Sequence, residues 1–177
     1  MLPGLEQYAT ITSDLCHNIL YMALNAIDYS VLAILQQDGR ITNAELAQRV
    51  GLTPGPMLAR VSKLEASGYI QGYTAILNRD ALGLSVTAFV SVIMKSHDRP
   101  SSEAFVAAVM DLPEVLECHH IAGEEDYLLK VIAASPADYE RFLMESLSPI
   151  DTIQRIKTTL VLSSPKNKTT IPIRGAE

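Results

Sequence analysis

Three stretches of the chain carry residues whose types and spacing suit chemistry. Thr53-Pro54-Gly55-Pro56 opens a helical pattern in which Ala59, Arg60, Ser62 and Lys63 face away from an apolar stripe. Arg60 and Lys63 suit base edges or phosphates, and Thr53 with the free amides of a helix start suits a phosphate. Gly123-Glu124-Glu125-Asp126-Tyr127 crowds three carboxylates into one loop. That costs repulsion unless a cation or an ammonium group sits nearby, although a solvated hairpin loop is the plainer reading. Cys118-His119-His120 has the residue types of a metal site. In a strand, Cys118 and His120 share one face and His119 takes the other. Two ligands then converge where a tetrahedral site needs about four, so neither a metal nor a cofactor is expected.

Catalytic signatures are missing. The sequence has no Gly-x-Ser-x-Gly, phosphate-binding Walker loop, dinucleotide fingerprint or His-Glu-x-x-His. An enzyme is not expected.

The first group sits in three helical patterns. Asn25 caps the first, with Asp28 suiting its positive end and Ile27, Val31, Ile34 and Leu35 as its apolar stripe; Gly39 is expected to end it. Thr42-Asn43-Ala44-Glu45 is a capping box for the second, which Gly51 stops. Thr53 caps the third, with Pro54 at its first position, Met57, Val61 and Leu64 pointing inward, and Gly68 and Tyr69 closing it. Two short helices joined by a Gly-containing turn behind a leading helix make a helix-turn-helix, whose second member enters a DNA major groove. A plain three-helix bundle is the alternative. Ile70 to Leu77 is β-prone and reads as a wing or connector.

The second half is patterned differently. Strands are predicted over Val86–Met94, Val115–Ala122, Asp126–Ala133 and Thr152–Leu162, with helices over Glu103–Met110 and Pro136–Leu147. The order β-α-β-β-α-β is ferredoxin-like. Two helices cover one face of such a sheet, and the bare face calls for at least a dimer. The expected fold class is therefore α+β: an N-terminal helix-turn-helix (winged-helix-like) domain plus a C-terminal ferredoxin-like βαββαβ domain. The expected divisions are an extension over 1–24, a DNA-binding domain over 25–70, a connector over 71–85 and an effector-binding and oligomerisation domain over 86–173.

Composition agrees with this division. The 177 residues are 48% hydrophobic and 19% charged, which excludes disordered and collagen-like classes. Two cysteines exclude a disulfide scaffold. Net charge is −6, so bulk electrostatics alone does not drive nucleic-acid binding. Over residues 26–80, however, Arg40, Arg49, Arg60, Lys63 and Arg79 balance Asp28, Asp38, Glu45, Glu65 and Asp80. A neutral reading head binds modestly as one copy and gains from assembly. The apolar run Ile19–Leu24 is too short to span a bilayer, and no basic residue precedes it. A soluble cytoplasmic protein, with no membrane partner, is expected.

The residues also resemble a family. Asp28-Tyr29-Ser30-Val31-Leu32, Asp38-Gly39-Arg40-Ile41, Ala44 to Pro54, Arg60 to Glu65 and Gly68 to Tyr73 are similar to the Lrp/AsnC, or feast/famine, regulators. The second half repeats the match at Val115 to His119 and at Gly123 to Tyr127. The resemblance spans about Leu24 to Ile173. It implies a transcriptional regulator that binds double-stranded DNA and dimerises sheet-to-sheet, with homodimers assembling to octamers or similar. It also implies a small-molecule effector, commonly an amino acid, bound between dimers. By this analogy the effector site comprises Gly123, Glu124, Asp126, Tyr127, Pro136, Leu160, Val161 and Leu162, with Asp126 and loop amides holding the ligand. An architectural DNA-binding protein without an effector is the alternative. Glu124 replaces the family's usual Asp, and Gly55 stands where a hydroxyl residue is common. Residues 1–21 have no counterpart in the family, which makes Met22 the expected native start.

Overall fold

The computed structural model describes residues 23–173. The extension and the expected start at Met22 lie outside the described residues. The chain divides into two units: residues up to Ala75 together with the tail from Lys168, and Ile76–Asn167.

The first unit contains α1 (Ala26–Leu35), α2 (Asn43–Arg49) and α3 (Pro54–Ala66). Asn25 Oδ1 accepts the Asp28 N–H at 3.0 Å and Asp28 Oδ2 accepts the Asn25 N–H at 2.9 Å, a reciprocal cap on α1. Thr42 and Glu45 repeat the arrangement on α2. These backbone and side-chain bonds from Thr42 hold the Glu45 carboxyl below its usual pKa. α2 and α3 end alike: Gly51 and Gly68 take φ of 71° and 72°, and the next amides, of Leu52 and Tyr69, reach back to Ala47 and Leu64. α1 differs from expectation, because it stops at Leu35, before Gly39. Asp38 Oδ1 takes the Arg40 N–H at 3.1 Å and turns the chain first.

Val31, Leu46, Ala47, Met57, Val61 and Leu64 form the core of this unit. Residues 70–77 form no strand despite their β propensity, since no partner strand pairs with them among the described residues. The tail returns to α1 at Gln36, whose side-chain amide donates to the Ile171 carbonyl and accepts the Ile171 N–H, both at 3.0 Å. This is the pairing one strand residue offers another, supplied by a side chain.

The second unit runs β1 (Val86–Met94), α4 (Arg99–Met110), β2 (Val115–His120), β3 (Tyr127–Ala133), α5 (Pro136–Phe142) and β4 (Ile153–Leu160). The sheet is antiparallel with order β2-β3-β1-β4, the ferredoxin-like arrangement. α4 starts four residues earlier than predicted. Asp98 caps it by accepting the Ser101 N–H at 2.8 Å, and Pro100 sits in its first turn. α5 gives way at Phe142 to a π-helical turn over Leu143–Leu147.

Alternation sorts the sheet into two faces. Ala88, Val90, Val92 and Met94 of β1 meet Tyr127, Leu129, Val131 and Ala133 of β3 on the helix side, with Phe105, Val109, Tyr139, Phe142 and Leu147 above them. The other face carries Phe89 between Lys130 and Thr159, and Ser91 between Leu128 and Lys157. No described helix covers that face.

Candidate DNA-reading and effector sites

α3 presents most of its predicted DNA-contacting residues as expected. Thr53, Pro54, Gly55, Pro56, Ala59, Ser62 and Lys63 are all exposed. The Thr53 side chain makes no cap bond, but Pro54 and Pro56 carry no N–H and the Met57 N–H bonds the Thr53 carbonyl. In the first turn of α3, Gly55 alone is therefore left with an amide to offer, fewer than the sequence suggested.

Arg60 is the exception. Its Nη1 forms an ion pair with Asp28 Oδ1 and donates to Asn25 Oδ1 at 3.2 Å. Asp28 is 2% exposed, the one buried charged residue among those described. The reason lies in helical spacing: Met57, Arg60, Val61 and Leu64 stand at i, i+3, i+4 and i+7. Arg60 therefore belongs to the inward stripe, with its guanidinium at the margin of the core. The outward Arg60 of the sequence reading is corrected to an internal tie between α3 and the cap of α1. That spacing was readable in the sequence. Leu58 on α3, not singled out in the sequence, is 55% exposed.

The predicted effector residues divide into two groups. Gly123, Glu124, Asp126 and Tyr127 lie where β3 begins, beside Val92 and Met94 at the end of β1. Pro136 follows the other end of β3, Leu160 pairs with Ala88, and the Val161 N–H bonds the Thr87 carbonyl. At about 3.3 Å per strand residue the groups stand roughly 15–20 Å apart. One chain does not close a pocket from these eight residues. A cleft of about 310 Å³ near the Ala133 end of β3, lined in part by Glu114, Asp138, Arg141 and Glu145, includes none of them.

Within the loop the acids have separate roles. Asp126 Oδ2 accepts the Met94 N–H at 2.8 Å and Oδ1 meets His97 Nδ1 at 3.1 Å, so both oxygens are engaged. The Asp126 backbone is fixed too, by bonds to the Val92 carbonyl and from the Ile121 N–H, each 2.9 Å. Glu125 pairs with Lys157 at 3.3 Å. Glu124 is exposed and forms no ion pair among the described residues. Tyr127, expected in a pocket wall, is 4% exposed and packs with Phe105 and His120 at centroid distances of 4.6 and 4.9 Å.

The Cys-His-His run alternates as predicted. Cys118 stands opposite Leu129 and His120 opposite Tyr127, whereas His119 stands opposite Leu128. Burial pushes the Cys118 thiol up from its usual pKa, which disfavours the thiolate a metal would need. His119 instead meets Glu117 at 3.3 Å, and Glu117 also binds Lys130 at 2.6 Å. The Lys130 bond chiefly holds the Glu117 carboxyl low.

No described helix is long and apolar enough to cross a membrane. Residues 24–71 match the winged helix-turn-helix DNA-binding family, and residues 87–171 match the Lrp/AsnC ligand binding domain. The leucine-responsive regulatory protein of Rhizobium meliloti is 39% identical over 155 residues, covering 88% of this chain and 99% of its own length. That of Escherichia coli is 40% identical over 151 residues, covering 85% and 92%. A transcriptional regulator of Neisseria meningitidis, solved as a complex with L-methionine, superposes with a TM-score of 0.82 at 34% identity, covering 86% of this chain and 98% of its own. With both halves matched in order and a helix-turn-helix joined to a ligand-binding ferredoxin-like sheet, the chain belongs to the Lrp/AsnC family of transcriptional regulators.

Proposed function

We propose that this regulator binds specific DNA sequences and is gated by an amino acid held between dimers of its C-terminal domain. The observation that carries the reading is the match of residues 87–171 to the Lrp/AsnC ligand binding domain. The residues expected to hold the effector stand in two groups at opposite ends of one sheet, an arrangement that calls for a second copy to make one pocket. The bare sheet face around Phe89 and Leu128 supports a dimer, and the L-methionine bound by the Neisseria relative supports an amino acid as ligand. Asp126 shapes the loop, and Glu124 is the carboxylate left to meet a ligand ammonium. On DNA, Thr53 and the Gly55 amide take a phosphate, and Lys63, more than two turns further along α3, makes a separate contact. Two recognition helices of a dimer then occupy successive major grooves. The effector shifts assembly by its differential affinity for the states it links, and occupancy of DNA follows. This reading assigns no catalytic role and no cofactor.

Anisotropy of a labelled duplex from upstream of the protein's own gene, at fixed salt, tests this with and without the twenty amino acids. The expected result is a shifted curve that Glu124→Gln abolishes without weakening DNA binding in their absence. A curve that amino acids never shift supports the effector-independent architectural reading instead.

A further inference from the structure

Each kind of base-edge reader has its own side-chain chemistry. Arg and Lys suit guanine, Asn and Gln suit adenine, acids suit cytosine, and apolar groups suit the thymine methyl. α3 contains no Asn or Gln. Arg60 is committed to Asp28 and Asn25. Glu65 accepts the Tyr73 hydroxyl at 3.1 Å. The outward ridge is Gly55, Ala59 and Ser62, all short, with Lys63 on one flank and Leu58 on the other. Nothing lies within 4 Å of a Cβ built at Gly55, so its lack of a side chain answers no internal clash and keeps the ridge low. A low ridge lets the helix approach the bases closely. Leu58 stands in the first half of α3, the part a recognition helix brings to base edges. It is 55% exposed and lies outside the described apolar core of its unit.

We propose that Leu58 is a specificity-determining residue that reads thymine through apolar contact with its C5-methyl group in the major groove. This rests on the DNA-binding role of α3 and names the chemistry of its readout. The ion pair of Arg60 with Asp28 fixes the rotation of α3, which sets the side that Leu58 faces. Specificity then depends on methyl groups and DNA shape more than on guanine.

Deoxyuridine, which lacks only that methyl group, provides the test. A duplex is selected from a randomised library by the wild-type protein, and its thymines are replaced one at a time. Burial of one methyl group is worth roughly a fourfold change in affinity. The wild type is expected to lose about that much at one thymine or more. Leu58→Ala is expected to bind the thymine duplex more weakly and to show no further loss at those positions. Its thermal midpoint should stay near the wild-type value, because the side chain is exposed. Full sensitivity to every deoxyuridine in Leu58→Ala would overturn the proposal, as would a selected site without thymine in the contacted positions. If the wild type selects no duplex over random DNA, sequence reading by α3 itself fails, and this assignment with it.

Discussion

The two candidate sites differ in how far apart in the chain their parts lie. The DNA-reading surface comes from one helix and its cap, so a local pattern places nearly all of it. The residues expected to hold an effector come from a hairpin loop, the start of α5 and the end of β4, which one sheet holds at opposite ends. A local site can be completed by one chain, whereas a dispersed one waits for neighbours. The exception within the local site is instructive as well. Arg60 has the right type for a reader, but its spacing puts it at the margin of the inward stripe, where it pairs with Asp28.

Core substitutions bear most strongly on this contrast, because each unit has its own apolar cluster. Leu46→Ala and Leu129→Ala, both fully buried positions, are each expected to cost about 2–5 kcal/mol. In calorimetry Leu46→Ala should lower a transition of the helical unit alone, and Leu129→Ala one of the sheet unit alone. One shared transition moved by both would break the division.

Arg60→Ala comes next. It strands the Asp28 carboxylate, and a destabilisation of about 2–3 kcal/mol in urea unfolding is expected. An unaltered midpoint combined with weakened DNA binding would return Arg60 to the reading surface.

The smallest effects compare two threonines that begin neighbouring helices. Thr42→Ala removes a cap whose bonds are made, and about 1 kcal/mol is expected. Thr53→Ala removes a hydroxyl that caps nothing, so stability should move by less than about 0.5 kcal/mol. DNA affinity should nevertheless fall if that hydroxyl holds a phosphate. The Glu45 partner adds a pH signature. Its folded pKa lies below the ordinary value, so the capping bond contributes fully above the unfolded glutamate pKa. That contribution fades as the pH falls through the lowered one. Wild type and Thr42→Ala should thus converge on acidification, which melting curves across that range would check.

Much of the architecture was legible for physical reasons. Caps, positive-φ glycines and i, i+3, i+4 stripes are short-range signals, and they placed all three DNA-binding helices. Two-residue alternation placed β1 at both its ends. What escaped was of other kinds. The Asp98 cap opens a first turn over Arg99 to Ser102 that the apolar stripe does not cover. The π-helical turn after Phe142 leaves no mark in a helical stripe. Asp126 and Tyr127 are expected at the effector site by analogy, and their bonds to the Met94 amide and packing on the Phe105 ring were not foreseen, because those partners come from elements distant in the chain.

The clasp between Gln36 and Ile171 has a consequence for synthesis. It joins residues 135 apart, with the entire sheet unit translated between them. On the ribosome, α1 to α3 can emerge and pack early, but the Gln36 bonds wait until Ile171 leaves the exit tunnel. At about 5–20 residues per second that delay is on the order of ten seconds. A nascent chain that stalls before Ile171 emerges would carry a packed three-helix core whose Gln36 amide still faces water.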